Sequence, residues 1–199
     1  MRPIALPLLL PLAFCAVTSA GAADIESAYT SVDLEKDCMI LNTEEEVEEN
    51  QGAEFICKGY GRVAVWVGEG DLRLFVGYGA RGRDTCSYRQ TFAAFNNINK
   101  TLEWRIRKEN GKSRPFATIL RYFITKPNAK AAFLVVTKVG RGEACQMAYI
   151  DTKHPNHNDL AREAADKFAP TFDCKAEKPF GYGPGGREPG GDTSTATCN

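Results

Sequence analysis

The run "TLEWRIRKENGKSRPFATILRYFI", Thr101 to Ile124, constrains the fold more than any other stretch of the chain. Two β-rich segments flank Asn110-Gly111. Asn-Gly is a strong hairpin signal because both residues tolerate the positive φ that a two-residue turn demands. Successive side chains on a strand point to opposite faces, so Trp104 and Ile106 share one face and Arg105 and Arg107 the other. Two further pairs extend the pattern. In "RVAVWVGEGDLRLFVGYG", Val63, Val65 and Val67 alternate with Ala64 and Trp66. The turn Gly68-Glu69-Gly70-Asp71 follows, and Leu72, Leu74, Val76 and Tyr78 then line one face of the next strand, with Arg73 opposite. "AFLVVTKV", the turn "GRGE" and "ACQMAYID" make the third pair. The result is about six strands in a meander.

One helix joins them. "NHNDLAREAADKFAP" offers Asn158 as an N-cap and sets Leu160, Ala161, Ala164, Ala165 and Phe168 on one face. Arg162 and Asp166, and Glu163 and Lys167, stand at i,i+4 spacing, and Pro170 stops the helix. The expected class is therefore α+β: a mainly antiparallel sheet with one C-terminal helix packed on it.

The opening "MRPIALPLLLPLAFCAVTSAGAAD" has a single cation, an apolar middle and small residues before an A-x-A site. That is the layout of a secretory signal peptide, with cleavage after Ala22 or Ala23. Its apolar run is too short, and too rich in proline, for a membrane span. Removing it leaves one domain's worth of chain and 24 basic against 25 acidic residues, a near-neutral balance that speaks against a nucleic-acid binder. Six cysteines remain: Cys38, Cys57, Cys86, Cys145, Cys174 and Cys198. An even number in an exported chain reads as a set of disulfides that staples the fold. Six allow 15 pairings, between which sequence does not choose. Compact bracketing favours Cys38 with Cys57 and Cys145 with Cys174, which leaves Cys86 with Cys198. No C-x-x-C or C-x-x-H spacing suggests a metal instead.

Residues 24–176 form the expected single globular domain. Inside it, Glu44, Glu45, Glu46, Glu48 and Glu49 crowd into six positions, a density of like charge that favours a solvated loop or frayed helix. Residues 177–199 are rich in glycine and proline and read as a flexible tail, unless Cys198 tethers them.

The segments "GDLRLFVGYG", "LEWR", "RPFATILRYF", "GEAC" and "AREAAD" carry a resemblance. Across residues 28 to 175 the chain resembles a group of small exported proteins of Gram-negative bacteria that have no assigned activity. The resemblance implies export and a single domain. It implies no catalytic residue and no ligand, and it does not extend to Cys86 and Cys198.

The chemistry is sparse. Gly77, Gly79 and Gly82 fit the G-x-G-x-x-G dinucleotide fingerprint. That loop needs a helix straight after the third glycine, and "RDTCSYRQTFAAFNN" shows no helical stripe, so a turn is expected and no cofactor. His154 and His157, with Asp151 and Asp159, are metal-capable residues in one short stretch. Pro155 prevents the one-face helical spacing that H-x-x-x-H sites use. There is no G-x-S-x-G elbow, and disulfide-bonded cysteines are not nucleophiles.

Surface binding remains. Arg62, Arg73, Arg81, Arg83, Arg105, Arg107, Lys108, Lys112, Arg114 and Arg121 fall on or beside the expected strands, with Tyr60, Tyr78 and Tyr88 among them. Arg105, Arg107, Arg73, Arg81, Tyr78 and Trp66 are the candidate binding residues, for a protein or an anionic glycan partner. An ordinary solvated face with scattered cations is the plainer alternative. The function expected is an exported, non-catalytic binding protein, inhibitor-like or envelope-associated, in the periplasm or secreted. A metal-assisted hydrolase at the His154/His157 loop and a structural protein of the cell envelope are the alternatives.

Overall fold

The structure is a computed structural model and describes residues 24–42, 52–109, 111–126, 129–189 and 198. The expected signal peptide and cleavage site and the glutamate run lie outside the described residues. The described chain forms two sheets and one α-helix. In sequence order the strands are β1 (Asp24–Ser31), β2 (Cys38–Ile40), β3 (Glu54–Cys57), β4 (Val65–Gly70), β5 (Arg73–Tyr78), β6 (Phe95–Glu109), β7 (Lys112–Lys126), β8 (Ala129–Val139) and β9 (Ala144–Asp151). Helix α1 (His157–Phe168) follows, then β10 (Phe180–Gly183) and β11 (Gly186–Glu188).

The large sheet runs β1-β6-β7-β8-β9-β10-β11, and the small one β2-β3-β4-β5. Every pairing is antiparallel except β9 with β10. The α+β reading holds, but the single meander divides. The β4–β5 hairpin belongs to the small sheet, and the β6–β7 and β8–β9 hairpins to the large one.

Both faces of the large sheet are covered, which makes three layers. Leu102, Trp104, Ile106, Leu120, Tyr122 and Val135 pack against Val65, Val67, Leu74, Val76 and Tyr78 of the small sheet. On the opposite face Ala117, Ile119, Leu134, Val136, Met147 and Ile150 meet Leu160, Ala161, Ala164 and Ala165 of α1. The period-two pattern of β6 and β7 and the apolar stripe of α1 thus describe facing surfaces of one core.

Glu109 pairs with Lys112, so two residues connect β6 to β7, and Gly111 takes the positive φ, 71°, that such a turn needs. The β4–β5 turn sits two residues later than the sequence suggests. Gly70 pairs with Arg73, and Asp71 and Leu72 form the turn with φ of 51° and 57°. A two-residue turn matched to the strand twist needs positive φ at both positions, which Leu72 adopts at some cost. Leu72 is therefore exposed and lies outside the strand.

Asn158 does not cap the helix. Asn156 occupies that position, and Asn158 lies in the first turn. The i,i+4 partners on α1 look elsewhere too. Arg162 bonds Glu103 of β6, Asp166 bonds Arg105, and Glu163 accepts a hydrogen bond from Tyr182. These charges tie the helix to the sheet, and so do more than stabilise it alone.

The C-terminal region also departs from the tail reading. Phe180 and Tyr182 are buried in β10 against α1, and Arg187 of β11 lies over the Phe168 and Phe180 rings at 4.2 and 4.1 Å. Aromatic residues between the glycines supply the apolar area that composition alone conceals. Three disulfides join Cys38 to Cys57, Cys145 to Cys174 and Cys86 to Cys198. The last ties the chain's end to the segment after β5.

Candidate functional site

The glycine motif after β5 is a packing device. Trp66 of β4 donates from Nε1 to the Gly79 carbonyl at 2.9 Å, and the chain folds over its ring. A Cβ on Gly82 would overlap that ring, and one on Gly77 would overlap the Gly82 carbonyl. Gly79, at φ +101°, takes a conformation that L side chains rarely adopt. Two short 3-10 turns follow, Gly82–Asp84 and Cys86–Arg89, where a dinucleotide site would need an α-helix N-terminus.

The six candidate binding residues do not gather. Tyr78 is 3 % exposed and packs edge-on to Trp104, their ring centroids 5.9 Å apart. Burial pushes its hydroxyl pKa up to about 12. Arg105 is 7 % exposed and is consumed by structure. Its Nε and Nη2 donate to the two Asp166 oxygens at 2.8 and 2.5 Å, and its Nη1 donates to Ser27 Oγ at 2.5 Å. Ser27 passes a hydrogen bond to Glu103, which also accepts from Arg162 Nε at 2.7 Å and so pushes the Arg162 pKa up. Trp66 and Arg73 alternate with core residues and face outward from the small sheet. Arg73 pairs with Asp71, and Arg81 with Asp84 at 2.7 Å. Tyr78 and Arg105 are thus not surface residues. Of the six, Arg107 alone lines the cleft described below.

The histidine loop is a helix entry. His157 Nδ1 lies 2.7 Å from the His154 carbonyl oxygen and Nε2 lies 3.0 Å from Arg121 Nη2. Arginine only donates, so Nε2 accepts and Nδ1–H donates, and both ring nitrogens are spent. Asp151 accepts from the Lys153 backbone N–H, and Asp159 from Arg162. Among the described residues no group of three or more His, Cys, Asp or Glu side chains comes together to hold a metal.

A different constellation forms where the β6–β7 hairpin outruns its neighbour. The last β7–β8 pair is Ala117 with Lys138, so Lys112–Phe116 keep β6 on one side and have no β8 partner on the other. The register shifts between Arg105 and Ile106, which pair with Ala117 and Pro115 and leave Phe116 bulged out of the ladder. Pro115 has no N–H and fits a strand only where one side is unpaired. Between this tip, the β8–β9 turn and the segment before β4 lies a cleft of about 840 Å³.

Arg62, Arg107, Lys112, Arg114 and Arg141 line it, with Glu109 the only acid among its described lining residues. Val63, Pro115, Phe116 and Val139 give it apolar walls. The side chains of Arg62, Lys112, Arg114 and Arg141 make no hydrogen bond or ion pair with any described residue. The Arg107 guanidinium sits 5.0 Å from the Phe116 ring centroid. It forms a long ion pair with Glu109, Nε to Oε1 at 3.7 Å, and the buried Nε has no hydrogen-bond partner among the described residues. Five cations facing one acid across a concave, partly apolar surface produce a focused positive potential.

No family model, curated protein or solved structure matches this chain. The cleft therefore rests on its own geometry. Arg62, Lys112 and Arg114 are visible in the sequence as strand-associated cations. Arg141 stands in the turn "GRGE", and its approach to the β6–β7 tip depends on the unequal lengths of two adjacent hairpins.

Proposed function

We propose that this protein is an exported, non-catalytic binding protein that takes an anionic ligand in the cleft between the β6–β7 tip and the β8–β9 turn. The observation that carries the reading is the charge balance of that cleft: five cations to one acid, four of the cations without a described partner. An anion entering there meets charge that no described residue pairs, and displaces no ion pair between those four residues and the described chain. Three disulfides support an exported setting, since such bonds persist in oxidising compartments.

A sulfated hexasaccharide serves as a probe of the cleft's charge. Titration calorimetry at low ionic strength should show binding that weakens as salt is added. Reversing three exposed cations together (Arg62→Glu, Arg114→Glu and Arg141→Glu) should weaken it about a hundredfold. The urea midpoint should stay put, because those side chains support no described contact. Unchanged affinity in the triple variant, or no binding by the native protein, would contradict the reading.

A further inference from the structure

Resting on the anionic reading of this cleft, we infer that its ligand is amphiphilic: one acid group, carboxylate or phosphate monoester, carried on an apolar body. The acid group meets the Arg107 guanidinium, and the body lies along Val63, Val139 and Phe116.

Arg107 differs from the other cleft cations. Arg62, Lys112, Arg114 and Arg141 are exposed cations that any polyanion would satisfy. Arg107 is partly buried, held over Phe116, and keeps a buried Nε without an acceptor. That Nε is closed to solvent, so an incoming acid group meets the exposed part of the Arg107 side chain, which is 29 % accessible and has Glu109 as its one described ion-pair partner. Guanidinium binds carboxylate and phosphate through two parallel bonds, so this residue selects an acid group by geometry as well as by charge.

The apolar walls make the second selection. A ligand that used the cations alone would leave Val63, Val139 and the Phe116 ring facing water. The cleft's size, about 840 Å³, falls among pockets that enclose small organic ligands. An extended peptide is a poorer occupant. The free edge of β7 borders the cleft, but Pro115 removes a donor from the ladder that strand addition would need.

The test uses the full mature chain with decanoate and decyl phosphate below their micelle concentrations, acetate and inorganic phosphate as tail-less controls, and the sulfated hexasaccharide. Decanoate or decyl phosphate should bind at least about tenfold more tightly than its tail-less control. Arg107→Lys keeps the charge but loses the fork and the ring contact. It should weaken the tailed ligands about tenfold and the hexasaccharide less than about twofold. Phe116→Leu provides a second variant with the same expected direction, and unchanged urea midpoints show that both fold. The relative affinity of decanoate and decyl phosphate tells which acid group is preferred. Tailed ligands that bind no better than their controls, while the hexasaccharide still binds, would overturn this inference and leave the anionic reading standing. Failure of every probe would overturn both.

Discussion

Replacing Arg105 by Met separates a structural cation from the cleft cations. Its side chain is 9 % exposed and its partner Asp166 is 30 % exposed. Removing one member of a buried ion pair costs about 3–5 kcal/mol, because the remaining charge stays desolvated. Asp166 recovers part of its hydration, so about 2–3 kcal/mol is expected here, with Ser27 also losing a donor. With a urea m-value of about 2 kcal/mol/M for a domain of this size, the midpoint falls by about 1–1.5 M. Adding Asp166→Leu should recover most of the loss, since no buried charge is then unpaired. Hexasaccharide affinity at a temperature where the variant is folded should not change. An Arg105→Met protein that kept its stability and lost its affinity would refute the assignment and return Arg105 to the binding surface.

Other perturbations test separate parts of the account. Gly82→Ala drives a Cβ into the Trp66 ring and should cost about 1–3 kcal/mol in urea unfolding, whereas a phosphate-cradling role would leave stability nearly untouched. Tyr78 loses its proton near pH 10 in the unfolded chain and near 12 when folded. Its contribution is complete below about pH 10 and falls by about 2–3 kcal/mol as pH rises toward 12, because the unfolded state then binds fewer protons. Tyr78→Phe should make that alkaline limb shallower without abolishing it, because burial also pushes the Tyr88, Tyr122 and Tyr182 hydroxyls up. Cys145→Ser with Cys174→Ser opens a loop spanning 29 residues and should cost about 3–4 kcal/mol by thermal or urea unfolding in the absence of reductant.

Much of the framework is legible in local pattern. Asn110-Gly111 fixes one hairpin, the alternation around Trp104 and Arg105 assigns their faces, and the stripe from Leu160 to Ala165 marks the buried side of α1. Bracketing favoured two disulfides, and the third is the pair left over. What sequence did not reveal depends on long-range placement. The alternation that marks β4 and β5 as half-buried does not say whether their apolar face meets the large sheet or continues it. Arg105 and Arg107 look equivalent at two-residue spacing, yet one faces Asp166 under α1 and the other lies past the helix over Phe116. Phe180 and Tyr182 sit among glycines that read as a tail, and only docking against α1 shows what they bury.

The central claim is that anions bind at the overhanging tip of β6–β7. Amide chemical shifts of the labelled mature protein, followed during titration with the sulfated hexasaccharide, test it most directly. The account predicts that shifts concentrate at Arg62, Val63, Lys112–Arg114, Phe116 and Val139–Arg141. Shifts centred on Trp66, Arg73 and Arg81 of the small sheet's outer side, or no shifts at all, would contradict it.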